Sequence, residues 1–482
     1  MLAHIVDDKK TYALDYRSVA PLSATIEKLS GPDGEVNLDK LTFGPVAPGV
    51  PGTVSAMHQA WQRFGSLAWK DLLQPAHQLA NDGFEVGHDL AHVLNMASAV
   101  LKYYSPASAY IRKDGQPWMA GDVLIQKDLA WSIGQIMAHG AVAFYEGELA
   151  DRIVSAFEKT GGLIRQEDLL AYRVKERQAV ATSYRGKQVI SMPPVSGGGV
   201  TLLQMLNILE NFPMSEFGAG SAQSLHVLAE TMKRAAANRR SLLGDPDFVD
   251  VPIDGYISKD LAKDMAKKID LQHAADVETI NAEPVERYES RNTTQFTVMD
   301  QYGNAVSNTY TLGYSFGSGY VAEGTGILFD NQMRNFSYRS DNNHKNSMVP
   351  GKRMLSTMTP TIVLDESGKV LLVTGTPGGG RIINVILQVV VNVIDYGMNI
   401  AEATHQPRIH QGWRRQPLGI ETGMNPETVS LLRAMGHEVD MQQTMGSTQS
   451  IMWSDGVFHG AADPRRPNAL ALGLDRVPAK TD

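Results

Sequence analysis

The stretch that most limits what this 482-residue chain can become is Asn292–Gly319, NTTQFTVMDQYGNAVSNTYTLGYSFGSG. Gln295-Phe296-Thr297-Val298-Met299 alternates polar and apolar residues, the period of a half-buried strand. Asp300–Asn304 (DQYGN) supplies turn residues, and Ala305–Leu312 returns as a second strand. Such a hairpin needs a sheet to join and a layer to cover one of its faces. Two threonines, Thr293 and Thr294, stand immediately ahead of it. Taken alone, a hydroxyl there reads as an ordinary solvent-facing strand start.

The rest of the chain supplies the sheet partners and the cover. Ile5–Tyr16 reads as a hairpin turning at Asp7–Lys10, and Gln178–Met192 as two strands around Tyr184-Arg185-Gly186. Amphipathic periodicity predicts helices over Val54–Phe64, Trp69–Asp82 and Asp128–His139, and another from Phe144 to a Gly-Gly stop at Gly162. Gly197–Gly199 reads as a tight loop feeding a long helix, since no GxxxxGK[ST] or GxGxxG pattern surrounds it. Ser221–Ser241 reads as a helix whose Lys233, Arg234, Arg239 and Arg240 form a solvated face. Asp245 and Asp247 read as a turn, and the polar run Ala282–Asn292 as an exposed segment. Beyond Thr293 the pattern is strand-rich to Val373 and helical over Ile382–Thr404. A capped helix over Asn425–Met435 and strands over Gln449–Trp453 and Gly456–Gly460 follow. Strand groups flanked by helices fit an α+β fold with two stacked sheets and helices outside.

Composition excludes several classes. Hydrophobic residues make up 43% and charged residues 20%, an ordinary globular balance. A net charge of -8 leaves no basic footprint for nucleic acid. With no cysteine there is no disulfide, cysteine nucleophile or thiolate metal site. The 13 histidines lack HExxH-type spacing, so no metal and no cofactor is expected. Ile382–Ile394 is too short to span a membrane and contains Asn384, Gln388 and Asn392. The start, MLAHIVDDKKTYALDY, turns charged by Asp7 before any signal-like apolar run. The sequence as written therefore reads as cytoplasmic, or as periplasmic or secreted if further residues precede it.

Five downstream segments raise the meaning of Thr293: GILFDNQMRNF (Gly326–Phe336), KRMLSTMTPTIV (Lys352–Val363), TGTPGGGRI (Thr374–Ile382), MGSTQS (Met445–Ser450) and GAADPRRP (Gly460–Pro467). In this order and spacing the set resembles the γ-glutamyltranspeptidase family of N-terminal-nucleophile hydrolases, from about Leu14 to the end. The resemblance implies a four-layer αββα sandwich, made as one chain that cuts itself between Asn292 and Thr293. Residues 1–292 and 293–482 would then be the large and small subunits of a heterodimer sharing one domain. It also implies that relatives carry about sixty more residues ahead of the Leu14–Pro21 segment, with a helix and a glycine-rich strand inside whose region Met1 falls.

The same resemblance assigns roles. Thr293 would be the nucleophile, Thr311 the hydroxyl supporting it, and Gly378 and Gly379 the oxyanion loop. Arg17, in LDYRSVAP, would grip a substrate carboxylate together with Ser356 and Thr357; Gly313, Gln332 and Asn335 would meet the amino-acid head. On position alone Arg17 also reads as a surface arginine, Thr311 as a β-branched strand residue, and the glycines as a plain turn. Three positions depart from the family pattern. Ser18 follows Arg17 where an acid is usual, Gly313 stands where an asparagine is frequent, and Asn335 replaces a carboxylate that pairs with the substrate ammonium. The expected activity is hydrolysis or transfer of the acyl group of γ-glutamyl amides such as glutathione. Losing the acid at Asn335 opens a second reading, a glutaryl-amide acylase of the same family. A third is a non-catalytic, unprocessed relative, against which the retention of Arg17, Thr293, Thr311, Gly378 and Gly379 argues. The short segment between Asn335 and Ser356 is expected to leave the pocket without a lid.

Overall fold

A computed structural model describes residues 1–280, 292–338, 344–412 and 417–474, apart from the side chains of residues 240, 241, 278 and 292. Eleven strands form two sheets: β1 (Leu2–Ile5), β2 (Lys10–Asp15), β3 (Lys175–Gln178), β4 (Val180–Tyr184), β5 (Lys187–Ser191), β6 (Asn292–Met299), β7 (Ala305–Gly313), β8 (Thr361–Leu364), β9 (Val370–Thr374), β10 (Gln449–Ser454) and β11 (Val457–Ala462). The first sheet runs β3-β2-β1-β7-β6 and the second β11-β10-β9-β8-β5-β4, antiparallel throughout. Each sheet therefore mixes strands from before and after residue 293. β1 pairs with β7 at Leu2–Ser307, and β5 pairs with β8 at Ile190–Ile362.

Side-chain alternation decides which face of the second sheet meets which layer. Ile190, Ile362, Leu364 and Val373 point toward the first sheet and pack with Leu2, Ala13 and Ala305. Their neighbours Val189, Val363 and Leu372 point the other way, into the helices Gly197–Leu209, Ala222–Leu242 and Ile382–Ile394. A second helical group, Lys127–His139 through Gln166–Ala171, packs with Tyr172, Tyr320 and Phe329 on the far side of the molecule. Leu129, Ile133 and Phe144 of that group face Leu14, Tyr310 and Leu312 across a cavity of about 270 Å³. The architecture is the expected αββα sandwich.

The β6–β7 hairpin turns where its residues demand. Asp300 Oδ1 accepts from the N–H groups of Tyr302 and Asn304, and Gly303 takes φ 91°. Several other expectations need correction. Lys233 and Arg234 are buried, because Glu230 one turn back on the same helix, itself inaccessible, accepts from them at 2.7 and 2.6 Å. Gly197–Gly199 is the first helical turn, not a loop before it. A Cβ on Gly199 would lie 2.1 Å from the Met192 carbonyl, so only glycine lets this helix sit so close to the sheet. Between Gly313 and Thr361 the described residues form loops, isolated bridges and the short helix Gln332–Asn335 instead of ladder strands. The helix expected over Phe144–Gly162 breaks into Val142–Tyr145 and Glu148–Thr160, and Ile382–Thr404 breaks into Ile382–Ile394 and Ile400–His405. In the second break Asn399 accepts from the N–H groups of Ala401 and Glu402 to start a new helix. A helix over His88–Tyr104 joins those anticipated. Residues 281–291, which hold most of the segment expected to be cut, lie outside the described residues, as do residues 339–343 of the segment expected to be short. Among the described residues no helix is long and apolar enough to cross a membrane, and no cluster of three or more His, Cys, Asp or Glu is arranged for a metal ion.

Candidate active site

Register explains how Thr293 is presented. In the β6–β7 ladder Asn292 opposes Gly313 and Thr294 opposes Tyr310, so two residues of β7, Thr311 and Leu312, lie opposite Thr293 alone. Such a bulge re-aims one side chain without ending the strand. Thr293, a residue 9% exposed, donates from its hydroxyl to Thr311 Oγ1 at 3.3 Å. Thr311 Oγ1 also accepts the Gly313 N–H at 2.9 Å, which fixes its rotamer toward Thr293. The Thr293 carbonyl accepts from Arg466 Nη1 at 2.9 Å.

Gly313 cannot be another residue without rearrangement. Its φ is +93°, and a Cβ there would sit 1.9 Å from Asn331 Oδ1 and 3.4 Å from Gln332 Nε2. Asn331 is itself held, its Oδ1 accepting from the Tyr314 N–H and its Nδ2 donating to the Thr42 carbonyl at 3.0 Å. Next to it the short helix Gln332–Asn335 brings Asn335 Nδ2 to 2.6 Å from Gln332 Oε1. Gln332 Nε2 is buried beside Gly313 with no hydrogen-bond partner among the described residues.

Arg17 and Ser356 reach the same region from the other side. Both line the 270 Å³ cavity together with Thr311, Asp330 and apolar walls that include Val195 and Phe329. Arg17 Nε donates to the Met354 carbonyl at 3.2 Å, and the Arg17 N–H is received by Asp15 Oδ1. Asp15 is pinned by Arg177 Nε at 2.8 Å, while the Tyr172 hydroxyl donates to the Arg17 carbonyl. Asp245 and Asp247, read as a turn, extend this ion network through Arg177. Burial lowers the Arg17 guanidinium to about 10, with Asp330 and Asp15 working against the shift, so it stays charged at neutral pH. Burial raises the Asp330 carboxyl, which accepts from the N–H groups of Gly49 and Gln332. Ser356 Oγ accepts the Met358 N–H at 3.1 Å.

Thr357 is committed elsewhere. Its hydroxyl donates to the Gly379 carbonyl at 2.9 Å, bracing the glycine run before the Ile382–Ile394 helix. Gly378 takes φ 142°, and a Cβ on it would meet Gly446 Cα at 3.4 Å. Pro377, just before it, shares a cleft of about 340 Å³ with Thr294 and Arg466. All ten residues singled out from sequence thus belong to one connected region. It runs from Asn335 and Gln332 through Gly313, Thr311 and Thr293, across the cavity to Arg17 and Ser356, and through Thr357 to Gly379 and Gly378. Sequence reasoning did not single out Asn331, Asp330, Asp15 or Arg466. The first two sit in the quoted GILFDNQMRNF segment and Arg466 in GAADPRRP, so the signal was adjacent. What each side chain touches was not available.

Comparison with known proteins identifies the same family throughout. The model described as Gamma-glutamyltranspeptidase matches residues 1–473. The glutathione hydrolase proenzyme of Escherichia coli (strain K12) is 44% identical over 473 residues, 96% of this chain and 81% of that protein. The acylase ACY 1 proenzyme of Pseudomonas sp. (strain SE83) is 34% identical over 492 residues, covering 99% and 86%. Among solved structures, cephalosporin acylase from Bacillus halodurans superposes with a TM-score of 0.83 at 26% identity, covering 96% of this chain and 84% of that one.

Proposed function

The chain belongs to the γ-glutamyltranspeptidase family, and from that premise we propose that it is a self-processing threonine amidohydrolase acting on γ-glutamyl amides such as glutathione. The observation that carries this reading is the hydroxyl of Thr293 donating to Thr311 at a strand bulge. A threonine hydroxyl is a poor nucleophile until a base takes its proton. In the intact chain the Thr293 nitrogen belongs to a peptide and cannot serve. Attack of Thr293 Oγ on the Asn292 carbonyl, with the Oγ proton ending on the Thr293 nitrogen as the C–N bond breaks, converts that peptide bond to an ester and frees the α-amine. Water then cleaves the ester and leaves residues 1–292 and 293–482 as separate, paired chains.

The freed amine, with an ordinary pKa of about 8, is the base for turnover. It accepts the Thr293 Oγ proton as the new C–O bond forms to the substrate carbonyl, whose π pair moves to oxygen. Backbone N–H groups of Gly378 and Gly379 receive that oxyanion, each worth about 3 kcal/mol when preorganised. Collapse breaks the C–N bond, and the amine's proton goes to the leaving nitrogen. Water, or an acceptor amine, then attacks the acyl-threonine ester by the reverse sequence. Arg17, buried and charged, meets the substrate carboxylate with Ser356, and Thr357 acts on the oxyanion loop through Gly379.

A second acyl class is favoured by one observation. Asn335 is a neutral amide bonded to Gln332, so that position offers a substrate ammonium no opposite charge. Glutaryl amides, which lack the ammonium, then bind as well as γ-glutamyl amides; relatives named as acylases fit this reading. Intact mass and N-terminal sequencing of purified protein test the parent reading. Fragments 1–292 and 293–482, the latter beginning Thr-Thr-Gln, are expected, together with a single uncut chain for Thr293→Ala. An uncut wild-type chain would refute it.

A further inference from the structure

Two adjacent arginines near the C-terminus make different contacts: Arg465 joins the buried carboxylates and Arg466 reaches Thr293. Asp463, fully buried, accepts from Arg408 Nη2 at 2.7 Å, from the Thr448 N–H at 2.9 Å and from the Arg465 N–H at 3.0 Å. Arg465 turns inward, with Nη2 2.6 Å from Glu421 Oε2 and Nη1 on the Thr404 carbonyl. Together these bonds anchor the loop. Arg466 turns toward the nucleophile and donates from Nη1 to the Thr293 carbonyl, on the residue that lies opposite two residues of β7.

We propose that Arg466 is a positioning residue for the nucleophile, clamping the Thr293 carbonyl and setting a fixed cation beside the α-amine that self-cleavage frees on the same residue. The proposal rests on the self-cleavage reading above. The nitrogen and carbonyl oxygen of one residue are about 3 Å apart, so the guanidinium stands within roughly 6 Å of that amine. A like charge at this range disfavours the ammonium form and lowers the amine by about one unit from its usual value near 8. An amine near 7 is largely neutral at working pH and still takes the hydroxyl proton. Burial partly desolvates the Arg466 guanidinium, with Asp463 as the opposing carboxylate. Among the described residues, the other charged groups on the surrounding elements are Arg381 beyond the glycine run, and Arg17 with Asp330 across the Thr311 side. Among the described residues, Arg466 is the charged side chain that bonds Thr293 itself.

The test compares R466Q and R466K with the wild type in the full chain, reading fragment masses and then the pH profile of kcat/KM on γ-glutamyl and glutaryl p-nitroanilides. R466Q is expected to move the acidic limb up by about one unit. R466K, which keeps the charge but loses the fork, is expected to keep the limb within about 0.3 unit while lowering kcat. A limb in R466Q that overlays the wild type, or one in R466K displaced as far as in R466Q, overturns the proposal. If R466Q is not processed, competitive labelling of the wild-type Thr293 amine with trace acetic anhydride reads the same quantity. A midpoint near 7 supports the proposal, and one at or above 8 overturns it. An uncut wild-type chain removes the amine and the proposal with it, an outcome distinct from a cut, active enzyme whose limb ignores Arg466.

Discussion

Asn335→Asp probes the acyl specificity of the site most directly. As the structure stands, Asn335 Nδ2 donates to Gln332 Oε1 at 2.6 Å, while Gln332 Nε2 is buried without a partner among the described residues. A carboxylate at 335 would face a carbonyl oxygen and be repelled. Turning the Gln332 amide over relieves this, because Nε2 then donates to the carboxylate and the orphaned donor is satisfied. The turn leaves Gln332 Oε1 buried beside Gly313, a cost of about 1 kcal/mol. Against that, a carboxylate gains a charge-assisted bond to the ammonium of a γ-glutamyl substrate, worth roughly 1.5–3 kcal/mol. The amide turn is made with either substrate and cancels in their ratio, so the gain of about 1.5–3 kcal/mol corresponds to a rise of roughly 10- to 150-fold in kcat/KM for γ-glutamyl over glutaryl p-nitroanilide, relative to wild type. Both substrates are assayed on processed protein of verified fragment mass, so that a folding defect is visible. A ratio that changes by less than about twofold in a fully processed variant would refute the assignment of position 335 to the substrate head.

Three further outcomes are expected. Thr311→Ala removes the acceptor of the Thr293 hydroxyl and should slow self-cleavage by roughly 10- to 100-fold, whereas Thr311→Ser should restore most of the rate; fragment appearance on gels measures both. Gly313→Ala forces a Cβ to within 1.9 Å of Asn331 Oδ1 at φ +93°. Strain of about 1–2 kcal/mol plus about 1 kcal/mol for each disturbed hydrogen bond should lower stability by about 3 kcal/mol in urea titration and block cleavage. The third concerns acid stability. His226 Nε2 meets the Asp270 carbonyl at 2.7 Å and must donate, so its Nδ1 accepts and His437 Nε2 donates across 2.8 Å. Burial, with Lys233 and His226 adding to it, lowers His437 to about 4. The unfolded chain, titrating near 6.5, binds more protons between those values. The His437 contribution is therefore complete above about pH 6.5, falls by up to about 3 kcal/mol toward pH 4, and levels off below. His437→Gln should flatten that slope in urea midpoints measured across pH.

Local chemistry was legible where a residue acts on its own backbone. The Asp300–Asn304 turn and the cap at Asn425, which accepts the Glu427 N–H, were readable because donor and acceptor are neighbours in the chain. What could not be read depends on partners far along it. Strand β3, KERQ, has no apolar alternation and is a strand because Tyr12–Asp15 offers it a ladder. Lys233 and Arg234 looked solvated because a charge run ordinarily is, yet Glu230 lies one turn back on the same helix and the pairs close when that face is buried. Site positions came from motif order, whereas the commitments of their side chains did not. Thr357 bonding Gly379 and Arg466 bonding Thr293 join residues 22 and 173 positions apart.

The interleaving of strands has a consequence for the life of the molecule after cutting. β1 and β5 lie in the chain before residue 293, while their ladder partners β7 and β8 lie after it. Breaking the 292–293 bond would thus nick a continuous hydrogen-bonded fabric and create no separable subunits in the usual sense. Dissociation would require unzipping both sheets, so the two pieces should never trade partners under native conditions. Mixing isotopically heavy and light processed protein should yield only heavy–heavy and light–light pairs in native mass spectra, however long the mixture stands.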